Sequence, residues 1–358
     1  MEKTTIDLFS TTVGEYEKRC LGGFLPEELT LVLPQFKAFK CREIFKNISK
    51  GIFDIRDFTT LRLDERTFLQ DNFFTSCTKI RETETDNDGT KKISLELFDK
   101  NVIEAVLLTD KQGRKTACIS SQVGCPLGCR FCKTGSLGFA RNLIAAEIVE
   151  QFFLLEKMSG TIDNIVFMGM GEPLLNLPQV EKAIKIFSHP QGRNFSKRRI
   201  TISTAGVIAG IEQLGNVLPE VRLAVSLTTA NEALRKTLMP ITETNPLPAL
   251  KKTLQQFSQI TKRRITLELA LMHEVNTSRR FSAEVVAFAR DLNAHVNIIP
   301  WNKIPELDFE SPSEKELRQF ESELKKAGIN VTRRGKHGAD ILGACGQLGM
   351  VKLPPNKN

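Results

Sequence analysis

A chain of 358 residues, 41% hydrophobic and 26% charged, has the composition of a globular protein with one large and one smaller unit, and it lacks the roughly 18-residue apolar run of a membrane helix. Fifty Lys plus Arg against 42 Asp plus Glu leave a net charge of +8, which favours a polyanionic partner. Eight cysteines follow a polar, acid-bearing start at Met1 to Asp7, so a reduced, cytoplasmic chain is expected rather than a disulfide framework.

Residues 1–97 read as a small, mainly helical accessory domain; Phe and Ile recur at helical spacing between Phe36 and Phe45. The polar, turn-rich segment Glu82 to Thr90 is the expected linker, and the alternating runs Lys92 to Phe98 and Val102 to Leu108 predict a hairpin. Residues 98–358 form the expected catalytic domain. There the strand-like runs Ala117 to Ser121, Asn164 to Met168, Arg199 to Ser203, Val221 to Leu227, Ile265 to Leu271, Val296 to Pro300 and Ile329 to Arg333 alternate with helical stretches such as Ile144 to Met158, Leu247 to Thr261 and Ser282 to Leu292. That alternation predicts an α/β fold with a mostly parallel sheet, a complete or partial (β/α) barrel, and active residues at the strands' C-terminal ends.

The loop after the first of these strands reads Gly124-Cys125-Pro126-Leu127-Gly128-Cys129-Arg130-Phe131-Cys132. Three thiolates at C-x-x-x-C-x-x-C spacing can bind three irons of a cubane and leave the fourth open. Structural zinc usually takes four ligands, and no second C-x-x-C pair follows. After the next strand, Met168-Gly169-Met170-Gly171-Glu172-Pro173 offers a turn where backbone can approach a ligand and a carboxylate could meet an ammonium. Cys20, Cys41 and Cys77 have no metal-like spacing, and the histidines are scattered.

Together the triad, the Gly-Met-Gly-Glu-Pro turn and the alternation resemble the radical S-adenosylmethionine (SAM) superfamily. Cys118 to Cys125, Phe167 to Leu175, Asn297 to Asn302 and Gly343 to Leu348 resemble, more narrowly, the RlmN/Cfr family of radical SAM RNA methyltransferases. The resemblance implies a partial barrel holding a [4Fe-4S] cluster on Cys125, Cys129 and Cys132, with SAM contacted by Gly171, Glu172, Ser203, Ser226, Leu227, Thr228 and Asn302. It further implies that Cys345 carries a methyl group taken from one SAM, that a radical made from a second SAM activates it for addition to adenine, that Glu104 removes the ring proton, and that Cys118 releases the product by forming a disulfide with Cys345. Thr228 departs from the family, where Ser-Leu-His is usual, so a hydroxyl replaces an imidazole.

The partners implied are 23S rRNA and tRNA, together with a flavodoxin- or ferredoxin-type electron donor; a monomer with no membrane association is expected. The RlmN type acts on carbon 2 of adenosine and the Cfr type on carbon 8; Glu172 to Leu177 and Ile299 to Asn302 look RlmN-like. A non-catalytic RNA-binding protein stapled by metal is the competing class. Basic clusters at Lys197 to Arg199, Lys262 to Arg264, Arg279-Arg280 and Arg333 to Lys336 could line an RNA path. The target base is expected unstacked, in the barrel mouth.

Overall fold

Alternating apolar and polar residues shape most of the strands in the computed structural model, which describes residues 12–335 and 337–349; Met1 to Asp7 and Lys336 lie outside the described residues. In chain order the strands are β1 (Thr78–Thr85), β2 (Lys91–Leu97), β3 (Val102–Thr109), β4 (Lys115–Cys118), β5 (Gln122–Gly124), β6 (Phe139–Asn142), β7 (Asn164–Phe167), β8 (Ile200–Thr204), β9 (Arg222–Ser226), β10 (Ile265–Leu271), β11 (Ala294–Pro300) and β12 (Val331–Arg333). Ten of them form one sheet in the order β1-β2-β3-β4-β7-β8-β9-β10-β11-β12, while β5 and β6 pair separately. From β4 to β12 every neighbour in that sheet is parallel. Helices such as Ala145–Ser159, Leu177–Ser188, Ile208–Val217, Leu247–Thr261 and Arg279–Ala289 make the crossovers, giving an open, partial (β/α) barrel as the alternation predicts.

The N-terminal region carries the helices Val13–Arg19, Pro26–Val32, Ala38–Ile48 and Leu63–Asn72. Its apolar residues do not close a core of their own: Leu29, Ile44 and Phe58 belong to the same buried cluster as Phe152, Ile184 and Phe187 on the barrel helices. The boundary expected at residue 97/98 also falls between two hydrogen-bonded strands, since β2 and β3 pair antiparallel from Lys91↔Leu107 to Glu96↔Val102. Part of the expected linker is strand as well, because β1 pairs with β2 and only the turn from Asp86 to Thr90 is irregular. β1 looked like a linker because it lies at the sheet edge, where Lys79, Arg81, Glu82 and Glu84 keep it from pairing with another chain. Among the described residues no helix is long and apolar enough to cross a membrane.

Candidate active site

Strand alternation puts residues two apart on one face, and the inward faces of β7 to β11 converge on a chamber of about 180 Å³ at their C-terminal ends. Cys125, Cys129 and Cys132 line it, as do Gly171, Glu172, Ser203, Ser226, Thr228, Asn302 and Cys345. Leu227 does not: it is fully buried in the apolar core. β9 ends at Ser226 and the chain then turns, with Thr228 at φ 60°, so that Ser226 and Thr228 both face the chamber while the Leu227 side chain packs into the core; the contact with SAM expected of Leu227 cannot come from its side chain.

The cysteine loop is fastened at its base by β5 and β6, where the Cys125 N–H donates to Gly138 O at 2.7 Å. Gly124 has φ +74°, and a Cβ there would meet Gly138 O at 2.0 Å; only glycine fits. Arg141 on β6 donates to Asp99 and, through both terminal nitrogens, to Glu147, which ties this loop to the β2–β3 turn and to the next helix. At its far end the Arg130 N–H donates to Leu238 O and the Trp301 indole to Phe131 O.

Burial pushes the Cys125 thiol up to about 12 and raises Cys129 and Cys132 as well, with repulsion from neighbouring thiols contributing. Such thiols ionise when a bound cation replaces their protons. Among the described residues no three His, Cys, Asp or Glu side chains converge on a single ion. A cubane takes one thiolate on each of three irons, so three sulfurs spread along one chamber wall fit that donor set.

Across the chamber, buried polar atoms await a ligand. Thr228 Oγ1 and Asn302 Oδ1 are buried without a hydrogen-bond partner, an arrangement that costs stability unless something polar binds there. Thr228 also has φ 60°, a left-handed conformation that costs a β-branched residue on the order of 1–2 kcal/mol. Gly171, φ +97°, lies so close to Gln122 that a Cβ would sit 2.4 Å from the Gln122 Cβ. Gln122 Oε1 in turn accepts the Glu172 N–H at 2.8 Å. The Glu172 carboxylate takes backbone N–H bonds from Leu174 and Ala205 at 3.1 and 2.7 Å. It caps its own turn, and burial raises it to about 7.

Cys345 stands in the wall between this chamber and a smaller one of about 40 Å³, which Cys118, Met168 and Arg334 also line. Its loop is held from three sides. Asn302 Nδ2 donates to Cys345 O at 3.2 Å, the Lys133 N–H of the cysteine loop donates to Gly346 O at 2.8 Å, and Gln347 Nε2 donates to Lys303 O at 2.8 Å. Arg334 Nη1 lies 3.9 Å from Cys345 Sγ and 3.5 Å from Met168 Sδ. Burial lifts Cys118 to about 12, with Cys345 adding to the rise and Arg334 opposing it.

Glu104 lines neither chamber. It is buried on β3, accepts the Gly349 N–H on Oε2 at 2.6 Å, faces Lys92 Nζ at 3.6 Å, and leaves Oε1 without a hydrogen bond. Burial raises its pKa. Sequence reasoning also missed Arg235, a fully buried guanidinium that donates to the carbonyls of Leu227, Ala205 and Ser226 and to Thr242 Oγ1. It knits the C-terminal ends of β8 and β9 under the chamber, and burial brings it down to about 10. No motif in the sequence singles it out.

The Radical SAM superfamily signature matches residues 119–280. A probable dual-specificity RNA methyltransferase RlmN of Treponema denticola is 52% identical over 97% of this chain and 99% of its own length. The chain belongs to the RlmN family of radical SAM methyltransferases. Another family member, the dual-specificity RNA methyltransferase RlmN of Syntrophobacter fumaroxidans, is 40% identical over 87% of this chain and 92% of its own. The crystal structure of a radical SAM methyltransferase from Sphaerobacter thermophilus superposes with a TM-score of 0.89 at 35% identity, covering 92% of this chain and 98% of that one.

Proposed function

We propose that the chain methylates carbon 2 of an adenosine in 23S rRNA and in tRNA, with Cys345 as the covalent methyl carrier. The observation that carries this reading is the position of Cys345, whose side chain stands between the chamber of the three-cysteine loop and the pocket of Cys118. Membership of the RlmN family supports an RNA substrate, and the RlmN-like stretches Glu172 to Leu177 and Ile299 to Asn302 support carbon 2.

Cys125, Cys129 and Cys132 would hold a [4Fe-4S] cluster, and the unpartnered Thr228 Oγ1 and Asn302 Oδ1, with Gly171, Ser203 and Ser226, would hold SAM. Bound there, the pair would supply radical chemistry by one-electron cleavage of the sulfonium. The protein's own groups do the rest. Gln347, Asn302 and the Lys133 N–H fix the Cys345 loop so that the thiol keeps one orientation across both chambers. Arg334 offers positive charge where that sulfur becomes a thiolate.

Product release falls to Cys118. Its thiolate attacks Cys345 sulfur; an S–S bond forms, the bond from sulfur to the methylene on adenine breaks, and the electron pair left on that carbon takes a proton to give the methyl group. Glu104 is the base for the ring proton, its pKa raised by burial; to reach adenine it must release the Gly349 N–H. A reducing, cytoplasmic setting with a flavodoxin- or ferredoxin-type donor and a monomeric enzyme completes the reading.

The test is anaerobic reconstitution with SAM bearing a deuterated methyl group and a ribosomal RNA fragment, with label located by mass spectrometry. Label on carbon 2 of adenosine is expected, passing through labelled Cys345. Label on carbon 8 would reassign the regiochemistry, and an intact cluster with no label on either RNA or Cys345 would overturn the reading.

A further inference from the structure

Inside the same barrel, nearer the strands' N-terminal ends, lies an open cavity of about 410 Å³ that the chemistry above does not use. Thr116, Val166 and Thr201 line it, each two residues before Cys118, Met168 and Ser203, so it sits roughly 7 Å below the chambers along the strand axes. Its wall is rich in arginine: Arg114, Arg199, Arg222 and Arg334. Two carboxylates share it, and both are engaged. Asp110 accepts Arg114 Nε at 2.7 Å, and Asp163 accepts the Lys115 backbone N–H at 2.9 Å. Arg199 and Arg222 rise from the starts of neighbouring strands, since Thr201 pairs with Arg222. Both are exposed, and among the described residues neither has a carboxylate partner.

Uncompensated guanidinium groups around a concave wall repel one another and raise the local potential, which makes the cavity a receptor for anions of phosphate geometry. Arg334 is common to this cavity and to the Cys118–Cys345 pocket, so the two adjoin. We propose that the cavity is the entry port for RNA: a phosphate beside the target adenosine rests on Arg199 and Arg222 while the base passes Arg334 to meet Cys345. This rests on the RNA methyltransferase reading and changes the side of approach. The nucleotide enters from the N-terminal ends of the strands, not through the barrel mouth, and meets Cys345 on the face turned away from the SAM chamber. SAM and RNA then do not compete for one opening.

The experiment measures RNA binding by fluorescence anisotropy against salt, using the full chain and a labelled stem-loop that the wild type methylates. Arg199→Gln and Arg222→Gln are each expected to weaken binding several-fold and to reduce the slope of log K on log salt by about 0.7–0.9, whereas Arg222→Lys keeps most of the slope. Lys325→Gln, which removes an exposed charge paired with Glu321, serves as the control for net charge and leaves the slope near wild type. A neutral methylphosphonate beside the target adenosine should weaken the wild type but add little to the double Gln variant, the non-additivity of groups in contact. Methylation of Cys345, which needs no RNA, should persist in both Gln variants and reports that they are folded. If the Gln variants bind with wild-type slope, or the control loses as much as they do, the port is elsewhere. If the wild type methylates Cys345 but no RNA, it is the RNA methyltransferase reading that fails.

Discussion

At the C-terminal ends of the strands the barrel wall is sulfur, glycine turns and buried polar atoms, with thiols pushed up by burial and a guanidinium, Arg235, held by three backbone carbonyls and the Thr242 hydroxyl. At the N-terminal ends the same strands present Arg199 and Arg222, both exposed and, among the described residues, without a carboxylate partner. One end is arranged for a cofactor that stays, with its shape set by close backbone approach. The other suits a charged partner that comes and goes, because exposed arginines can exchange water and counterions for phosphate at small cost. The difference teaches that buried, shape-critical groups and exposed, charge-critical groups divide along the barrel axis, with Cys345 and Arg334 at the border.

Substitutions on the buried side should abolish chemistry outright. Cys129→Ala is expected to lose bound iron and all methylation of both Cys345 and RNA, with far-UV circular dichroism unchanged; iron retained at wild-type level would remove this residue from the cluster. Cys118→Ala should still methylate Cys345 but leave RNA attached to the protein, visible as a band shift on a denaturing gel that nuclease removes. Next in size comes Arg235→Met, which strands several buried carbonyls and should cost about 2–4 kcal/mol in denaturant unfolding; a loss below about 1 kcal/mol would mean that water replaces the guanidinium.

At the border, pH should matter. Cys118, held near 12, is protonated at neutral pH, so disulfide formation with Cys345 should accelerate as pH rises from 7 toward 9, about tenfold per unit while thiolate supply limits the step. Arg334→Gln removes the charge that opposes the rise and should slow that step at every pH; a flat profile in the wild type would show that another step limits release. The smallest effect is expected at Thr228→Val, a few-fold weaker SAM binding by calorimetry, because one unpartnered hydroxyl is lost from a site with other contacts. Unchanged affinity would mean that Oγ1 stays orphaned when SAM binds.

Local pattern carried much of this protein. The C-x-x-x-C-x-x-C spacing needs no tertiary information, since all three thiols share one loop, and the parallel strands were legible because apolar runs alternate with helical periods. Glu104 was harder: only the family resemblance marks it as a base, and its carboxylate is turned to Gly349 and Lys92 and away from both chambers. The helical N-terminal region looked like a separate unit because its helices are legible one by one, while the core they share with Phe152 and Phe187 is a long-range fact.

What the sequence by itself determined is therefore the three-cysteine loop and the alternation of strands with helices, consequences of spacing over a few residues, and, through four separated motifs, the family resemblance. Tertiary structure alone decided that Cys345 shares a wall with residues more than 200 positions away, that Leu227 turns into the core, that Arg235 is buried, and that Arg199 and Arg222 gather on one concave face. The physical reason is that closing a sheet into a barrel brings together residues far apart in the chain. A sequence records which side chains a strand offers to its inner face, but the curvature of the whole sheet sets which of them meet.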